Sequence, residues 1–450
     1  MRFAVAIALT TVFISLSSFD ACGGRNTGDS ASLATLATSD SAGVSETPLP
    51  ASLFNDSVGV ALHLPYRATA WDTDYARWSP ILLASPIKHV RDSFCDGGAA
   101  DSFCTGAWLP RWKNVAAAGI TIDVITNPGM GWDSACNGTC FRDYTAQLGI
   151  DPTSIDAYEG PNECDEPDHC KAYGVRSTSA AITVGSWTPL LWTLRSPGTA
   201  IYGPAMAFPR GYAKFGTLSQ YMDFGSIHDY PGDSYPENNV VPSWRAGAAA
   251  MSGPLPLVST ESGYNTDPTF SNHGVSQLAQ ERYLPRILFT HLSYGIKRTY
   301  LYELFDYPPE AGQGQDFGLL NADYSPKPAW TRLIQLMRYF QDAGTSQPSP
   351  LAYGMSGDGS GTLHHVLFQR SDRTYLLVLW LGTSLWDSAS HTDTEPRSED
   401  VTITLPKVPA SAVFTQFKDR GQMRTDPVNR PGQTVRVDVT SLVSVLSFRF

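Results

Sequence analysis

Two apolar runs in this chain stop abruptly at a carboxylate, and few folds explain why both should. The first is Ile155-Asp156-Ala157-Tyr158-Glu159-Gly160-Pro161-Asn162-Glu163, where Gly160-Pro161 ends the regular backbone and an Asn-Glu pair follows at once. The second is Pro256-Leu257-Val258-Ser259-Thr260-Glu261-Ser262-Gly263-Tyr264, which again ends on a carboxylate with a Gly close behind. If both runs are barrel strands, Glu163 and Glu261 stand at C-terminal strand ends, where such barrels place reactive groups. Two carboxyl groups meeting there are what cleavage of a glycosidic bond requires.

The rest of the chain supplies the other strands. Apolar runs at Val58–Leu64, Ile87–Asp92, Ile120–Thr126, Ile155–Glu159, Ala200–Gly203, Phe224–His228, Leu257–Thr260 and Thr299–Leu304 alternate with helical patterns such as Trp108–Ala118, Arg245–Met251 and Ser276–Ser293. Eight strands with crossover helices specify a (β/α)8 TIM barrel over 52–346, closed by a helix at Ala329–Ala343. Gln347-Pro348-Ser349-Pro350 marks a boundary. Beyond it, over 347–450, period-two alternation at His364–Gln369, Tyr375–Leu381, Val401–Leu405, Ala412–Lys418, Thr434–Val439 and Val443–Phe450 predicts a small antiparallel β-sandwich.

Met1-Arg2 followed by the apolar run Ala4 to Ser18 reads as an export signal within 1–22, too short to span a bilayer comfortably. Phe19-Asp20-Ala21-Cys22 loosely resembles a bacterial lipobox, so membrane attachment through a lipid on Cys22 stays open beside simple secretion. Residues 23–51 turn to Ser, Thr, Ala and Gly and read as a flexible tether. The chain is therefore expected outside the cell, at its surface or in a periplasm. Its 7 cysteines leave six once Cys22 is set aside. Cys95 and Cys104, Cys136 and Cys140, and Cys164 and Cys170 each bracket a short loop, which in an exported chain predicts three local disulfides. A metal site is the weaker alternative, because no C-x-x-C spacing occurs. The net charge of −11 argues against nucleic acid as a partner.

Glu163 beside Asn162 could protonate a leaving oxygen; its bland alternative is a solvated acid near Asp165, Glu166 and Asp168. Glu261 could attack an anomeric carbon; its bland alternative is a strand-end acid paired with an Arg. Arg91 could hold that carboxylate ionised, and His228-Asp229-Tyr230 could give hydrogen bonds to it or to a sugar.

Taken together these residues resemble the clan A retaining glycoside hydrolases. Tyr158-Glu159-Gly160-Pro161-Asn162-Glu163 is similar to the aromatic-Glu-x-x-Asn-Glu stretch of family 39, although Gly160-Pro161 stands where that family often has Val-Trp. Phe317-Gly318-Leu319-Leu320 with Pro326-Lys327-Pro328-Ala329 is similar to the run that family carries before its last helix. The resemblance implies Glu163 as acid/base, Asn162 as binder of the sugar 2-hydroxyl and Glu261 as nucleophile, with Arg91, His228 and Tyr230 around them. Tyr302-Glu303 stands where many clan relatives place a Trp and would shape the substrate pocket. A carbohydrate substrate, no cofactor, no metal and a monomer are the corresponding expectations. A non-catalytic carbohydrate-binding or adhesion protein on the same barrel is the alternative.

Overall fold

The computed structural model describes residues 44–93, 105–126, 146, 148–166, 180–196, 198–269, 273–307, 316–345, 347–357, 359–428 and 432–450. Eight parallel strands form one sheet: β1 Val58–Ala61, β2 His89–Ser93, β3 Thr121–Ile125, β4 Ile155–Glu159, β5 Ala200–Tyr202, β6 Gly225–His228, β7 Leu257–Ser262 and β8 Thr299–Leu301. Their order is β5-β4-β3-β2-β1-β8-β7-β6, and a parallel bridge between Tyr202 and Phe224 joins the two edges. This is the expected TIM barrel.

β1 and β8 end at Ala61 and Leu301, three residues before their apolar runs do, whereas β4 matches its run and β7 continues to Ser262. Glycine decides two close approaches. A Cβ on Gly59 in β1 would stand 2.3 Å from the Tyr300 ring, so only Gly lets that ring fill the barrel interior. Gly160 has φ +131° and a Cβ there would meet the Thr126 carbonyl oxygen at 2.0 Å. The break after β4 is thus set by backbone sterics, and the Gly160-Pro161 peptide bond there is cis.

Two sheets follow, antiparallel except for one short parallel pair at an edge. One orders Val44–Glu46, Leu351–Ser356, Ser398–Thr404 and Thr434–Thr440. The other orders Met423–Pro427, Ser411–Phe417, Ser444–Arg449, Tyr375–Leu381, Leu363–Gln369 and Leu49–Pro50. Tyr375–Leu381 is buried along its whole length, which explains its unbroken apolar sequence. Leu377, Leu379 and Leu381 face the other sheet, while Leu376, Val378 and Trp380 join the barrel core.

One expectation is corrected at the tether. Val44–Glu46 pairs antiparallel with Leu351–Tyr353, and Leu49–Pro50 pairs parallel with Phe368 and Gln369, so chain expected to be tether up to residue 51 belongs to the sandwich from Val44. Glu46 is fixed by the Tyr353 hydroxyl at 2.5 Å and by His365 at 3.4 Å. Nothing local in Val44-Ser45-Glu46 announces a strand; its partners arrive from three hundred positions away. The export signal, Cys22 and five cysteines of the predicted disulfides lie outside the described residues. Cys164 is buried and disulfide-bonded.

The helix Gln277–Ser293, capped by Ser276 accepting from the Ala279 N–H, lies between barrel and sandwich and is buried nearly all round. Its charged residues consequently carry the junction. Glu281 accepts from Arg332 at 3.0 Å and from the backbone N–H groups of Arg420 and Gly421 at 2.8 and 2.7 Å. Glu281→Ala would leave Arg332 buried without its carboxylate, and a loss of ~3–5 kcal/mol is expected. Denaturant unfolding at pH 7 measures it; a loss under ~1 kcal/mol would show the junction to be held by its apolar contacts alone.

Candidate active site

The residues singled out in the sequence meet around one guanidinium. Arg91, on β2 and only 1% exposed, donates from Nε to Glu159 Oε2 at 2.6 Å and from Nη1 to Glu261 Oε1 at 2.6 Å. Its Nη2 donates to Asn162 Oδ1 at 2.7 Å and lies 3.5 Å from His228 Nε2. An Arg fork suits this task, since three planar N–H groups can address three acceptors at once.

Glu163 reaches the site from the loop after β4. It sits at φ +49°, a region that side chains rarely occupy, and its N–H donates to the Ala205 carbonyl at 2.9 Å. Two residues on, Asp165 accepts from the N–H groups of Ala207 and Phe208 at 2.8 and 3.1 Å. The loops after β4 and β5 are thereby laced together, and Glu163 is held above the barrel mouth. Its Oε1 lies 2.8 Å from His228 Nδ1.

Glu261 lies inside β7 rather than beyond it. Ile227 pairs with Ser259 but His228 pairs with Glu261, and Thr299 pairs with Ser259 while Leu301 pairs with Ser262. Both neighbours see one extra residue in β7, the mark of a bulge, and bulges re-aim side chains beside active sites. Glu261 Oε2 accepts from the Tyr230 hydroxyl at 2.7 Å and stands 3.7 Å from His228 Nδ1. Burial and the Glu261 charge push the Tyr230 hydroxyl well above its ordinary pKa, so it remains a donor. His228 is buried, which alone would lower its pKa; the Glu261 charge and the bond to Glu163 outweigh that and raise it.

One nitrogen of His228 and one oxygen each of Glu163 and Glu261 all lie within 4.8 Å of one another. Such a trio could ligate a metal ion. Both Glu261 oxygens, however, already accept from Arg91 and Tyr230, and a guanidinium beside the trio opposes a second cation. The arrangement suits two carboxyl groups acting on a bound molecule better than it suits an ion.

Tyr302 lines the site through edge-to-face contacts with Tyr230 and Phe317, at ring centroid distances of 6.3 and 5.7 Å. Glu303 follows it across a cis peptide bond and is fully buried. All eight residues expected at the site therefore lie at the C-terminal ends of β2, β4, β6, β7 and β8.

Sequence reasoning gave no role to Glu159, Asp123, His63 or Asp92. Glu159 shares Arg91 with Glu261, and Asp123 stands beside it on β3 with its carboxyl 4.0 Å from Arg91 Nε. Burial and the Glu159 charge push the Asp123 pKa well up. The available signal was a charged residue inside or just after an apolar strand, as in Ile122-Asp123-Val124 and Leu62-His63.

His63 and Asp92 shift in opposite senses, Asp92 rising to about 7 and His63 falling to about 4, each chiefly through burial. For His63 the unfolded chain takes up a proton below the ordinary value of 6.5, whereas the folded chain resists until about 4. Stability from this group is therefore lost as pH falls from about 6.5 towards 4. His63→Asn is expected to flatten that limb of Tm against pH, followed by thermal unfolding. An unchanged slope would place the acid sensitivity elsewhere.

No protein-family model matches the chain, and no curated protein matches it in sequence. Solved structures do. A glucosidase from Croceicoccus marinus superimposes with a TM-score of 0.55 at 13% identity, over 90% of this chain and 97% of that one. A family 51 alpha-L-arabinofuranosidase from Bifidobacterium longum gives 0.52 at 13% identity, over 90% and 97%. The fold shared with these structures is a TIM barrel followed by a β-sandwich. At this identity the likeness speaks for the architecture and leaves the chemistry to the residues.

Proposed function

We propose that this chain is a retaining O-glycoside hydrolase of clan A, nearest in its motifs to family 39, acting on an oligosaccharide or polysaccharide. The observation that carries the reading is the approach of Glu163 and Glu261 from β4 and β7 to within 4.8 Å, oxygen to oxygen. Retaining enzymes hold their carboxyl groups about 5–5.5 Å apart, whereas inverting ones leave roughly 6.5–9.5 Å for a water molecule.

Glu261 is the nucleophile. Arg91 and Tyr230 occupy an oxygen each, which fixes its orientation. It attacks the anomeric carbon and forms a glycosyl ester. Glu163 gives a proton to the departing oxygen, then takes one from the water that hydrolyses the ester. His228, between the two carboxylates, can donate to Glu163 in its ionised state and withdraw when it is protonated. Asn162 is held by Arg91 beside Glu163, where it can reach the sugar 2-hydroxyl. The enzyme works as a monomer without cofactor or metal, exported by its leader and either released or anchored through Cys22.

Proton NMR of the first sugar released from a hydrolysed aryl glycoside tests the reading. The anomer first formed is expected to match the substrate's. An inverted first product would overturn the double displacement, and inactivity across aryl glycosides and plant and bacterial glycans would overturn the hydrolase.

A further inference from the structure

Beside the Glu163–Glu261 pair, the ends of β1 and β8 bring together a second polar group of residues. Glu303 is 0% exposed, and among the described residues neither carboxyl oxygen meets a donor in hydrogen-bonding geometry. His63 Nε2 stands 3.1 Å from Glu303 Oε2 yet is also without an aligned partner. The His63 ring cannot swing away to find one. Tyr66 stacks on it at 4.4 Å, Trp71 meets its edge at 5.2 Å and Tyr302 at 5.7 Å. Leaving a buried polar group unsatisfied is costly, so such a pair points to something that binds it.

Its position says what. Tyr302, packed on His63, also touches Tyr230, whose hydroxyl binds Glu261. The Glu303 carboxyl is close enough to Glu261 for that charge to help burial push its pKa well up, and burial holds His63 near 4. Burial thus disfavours charge on both members of the pair. The cations within electrostatic reach are already engaged. Arg91 serves Glu159, Glu261 and Asn162, and Lys327 is bound to Asp306 and Thr266 at 2.7 Å each. Among the described residues, no cation here is left to receive an acidic ligand.

We infer that Glu303 and His63 form the specificity corner for the sugar unit held over Glu261, and that it takes the donor groups of a non-acidic sugar while rejecting uronic acids. This rests on the glycoside-hydrolase reading. A sugar hydroxyl or ammonium supplies the donors that the Glu303 oxygens lack. A uronate would instead bring a carboxylate into a dry corner where, among the described residues, every nearby cation is already engaged, and the cost of burying that charge discriminates between otherwise similar rings.

Binding to an array of neutral, amino-bearing and uronic acid-bearing glycans, using the Glu163→Gln chain so that nothing is consumed, separates the cases. Neutral or amino-bearing glycans are expected to be retained, with half-saturation raised ~10-fold or more by adding Glu303→Ala. Adding the isosteric Glu303→Gln is expected to give a smaller rise, and it guards against a folding defect in the Ala variant. Retention of uronic acid glycans in preference, retention indifferent to both Glu303 variants, or no retention at all overturns the inference. If neutral glycans bind through Glu303 but wild type never hydrolyses them, the hydrolase reading fails and the specificity corner stands. If wild type hydrolyses uronides, the reverse holds.

Discussion

Glu261→Ala is expected to lower kcat/KM on an aryl glycoside by on the order of 10^4-fold or more, because no covalent step remains once the nucleophile is gone. The expectation follows from geometry. Glu261 is turned into the site by a bulge, and its two oxygens are engaged by Arg91 and Tyr230 at 2.6 and 2.7 Å. Added azide has room to attack the anomeric carbon directly in the shortened variant, and the glycosyl azide should then have inverted configuration. Retention of more than a tenth of the wild-type rate would show that the nucleophile lies elsewhere. The fold should survive, since Arg91 keeps Glu159 and Asn162 as partners.

Glu163→Ala is expected to behave differently, and the difference lies in the leaving group. A poor leaving group needs its oxygen protonated, so hydrolysis of unactivated glycans should fall by ~10^2–10^4-fold. An aryl glycoside with a good leaving group needs little protonation, and its first step should persist. The second step then lacks a base for water, and the glycosyl ester should accumulate as a burst followed by slow turnover. Azide needs no base and should restore turnover, here giving a glycosyl azide of retained configuration. Intact-protein mass spectrometry detects the ester directly. Loss of the burst together with loss of azide rescue would remove Glu163 from the role of acid/base.

Much of this was legible along the chain. The eight strands of the barrel were visible as apolar runs, and both carboxylates stood out because each closed such a run. Local chemistry controls these features: a strand needs a few consecutive apolar residues, and a break needs Gly or Pro. The sandwich strands were equally plain, Thr434–Thr440 from its alternation and Tyr375–Leu381 from its unbroken apolar run. Leu351–Ser356 and Met423–Pro427 were not, because mixed polar sequences become strands only when a neighbour offers its edge.

The sequence by itself determined the architecture and which residue types close its strands, since period and punctuation are written in neighbouring positions. Only the tertiary structure decided what those residues do to one another. Arg91 meets Glu159 68 positions away and Glu261 170 positions away, and no spacing rule predicts that one guanidinium serves both. The extra residue in β7 that turns Glu261 inward shows only against the registers of β6 and β8. Glu303 looked like a pocket-lining residue, and its want of a donor emerged only when burial removed water from it. Such facts depend on distances and on local dielectric, which the closed barrel creates and a linear chain does not contain.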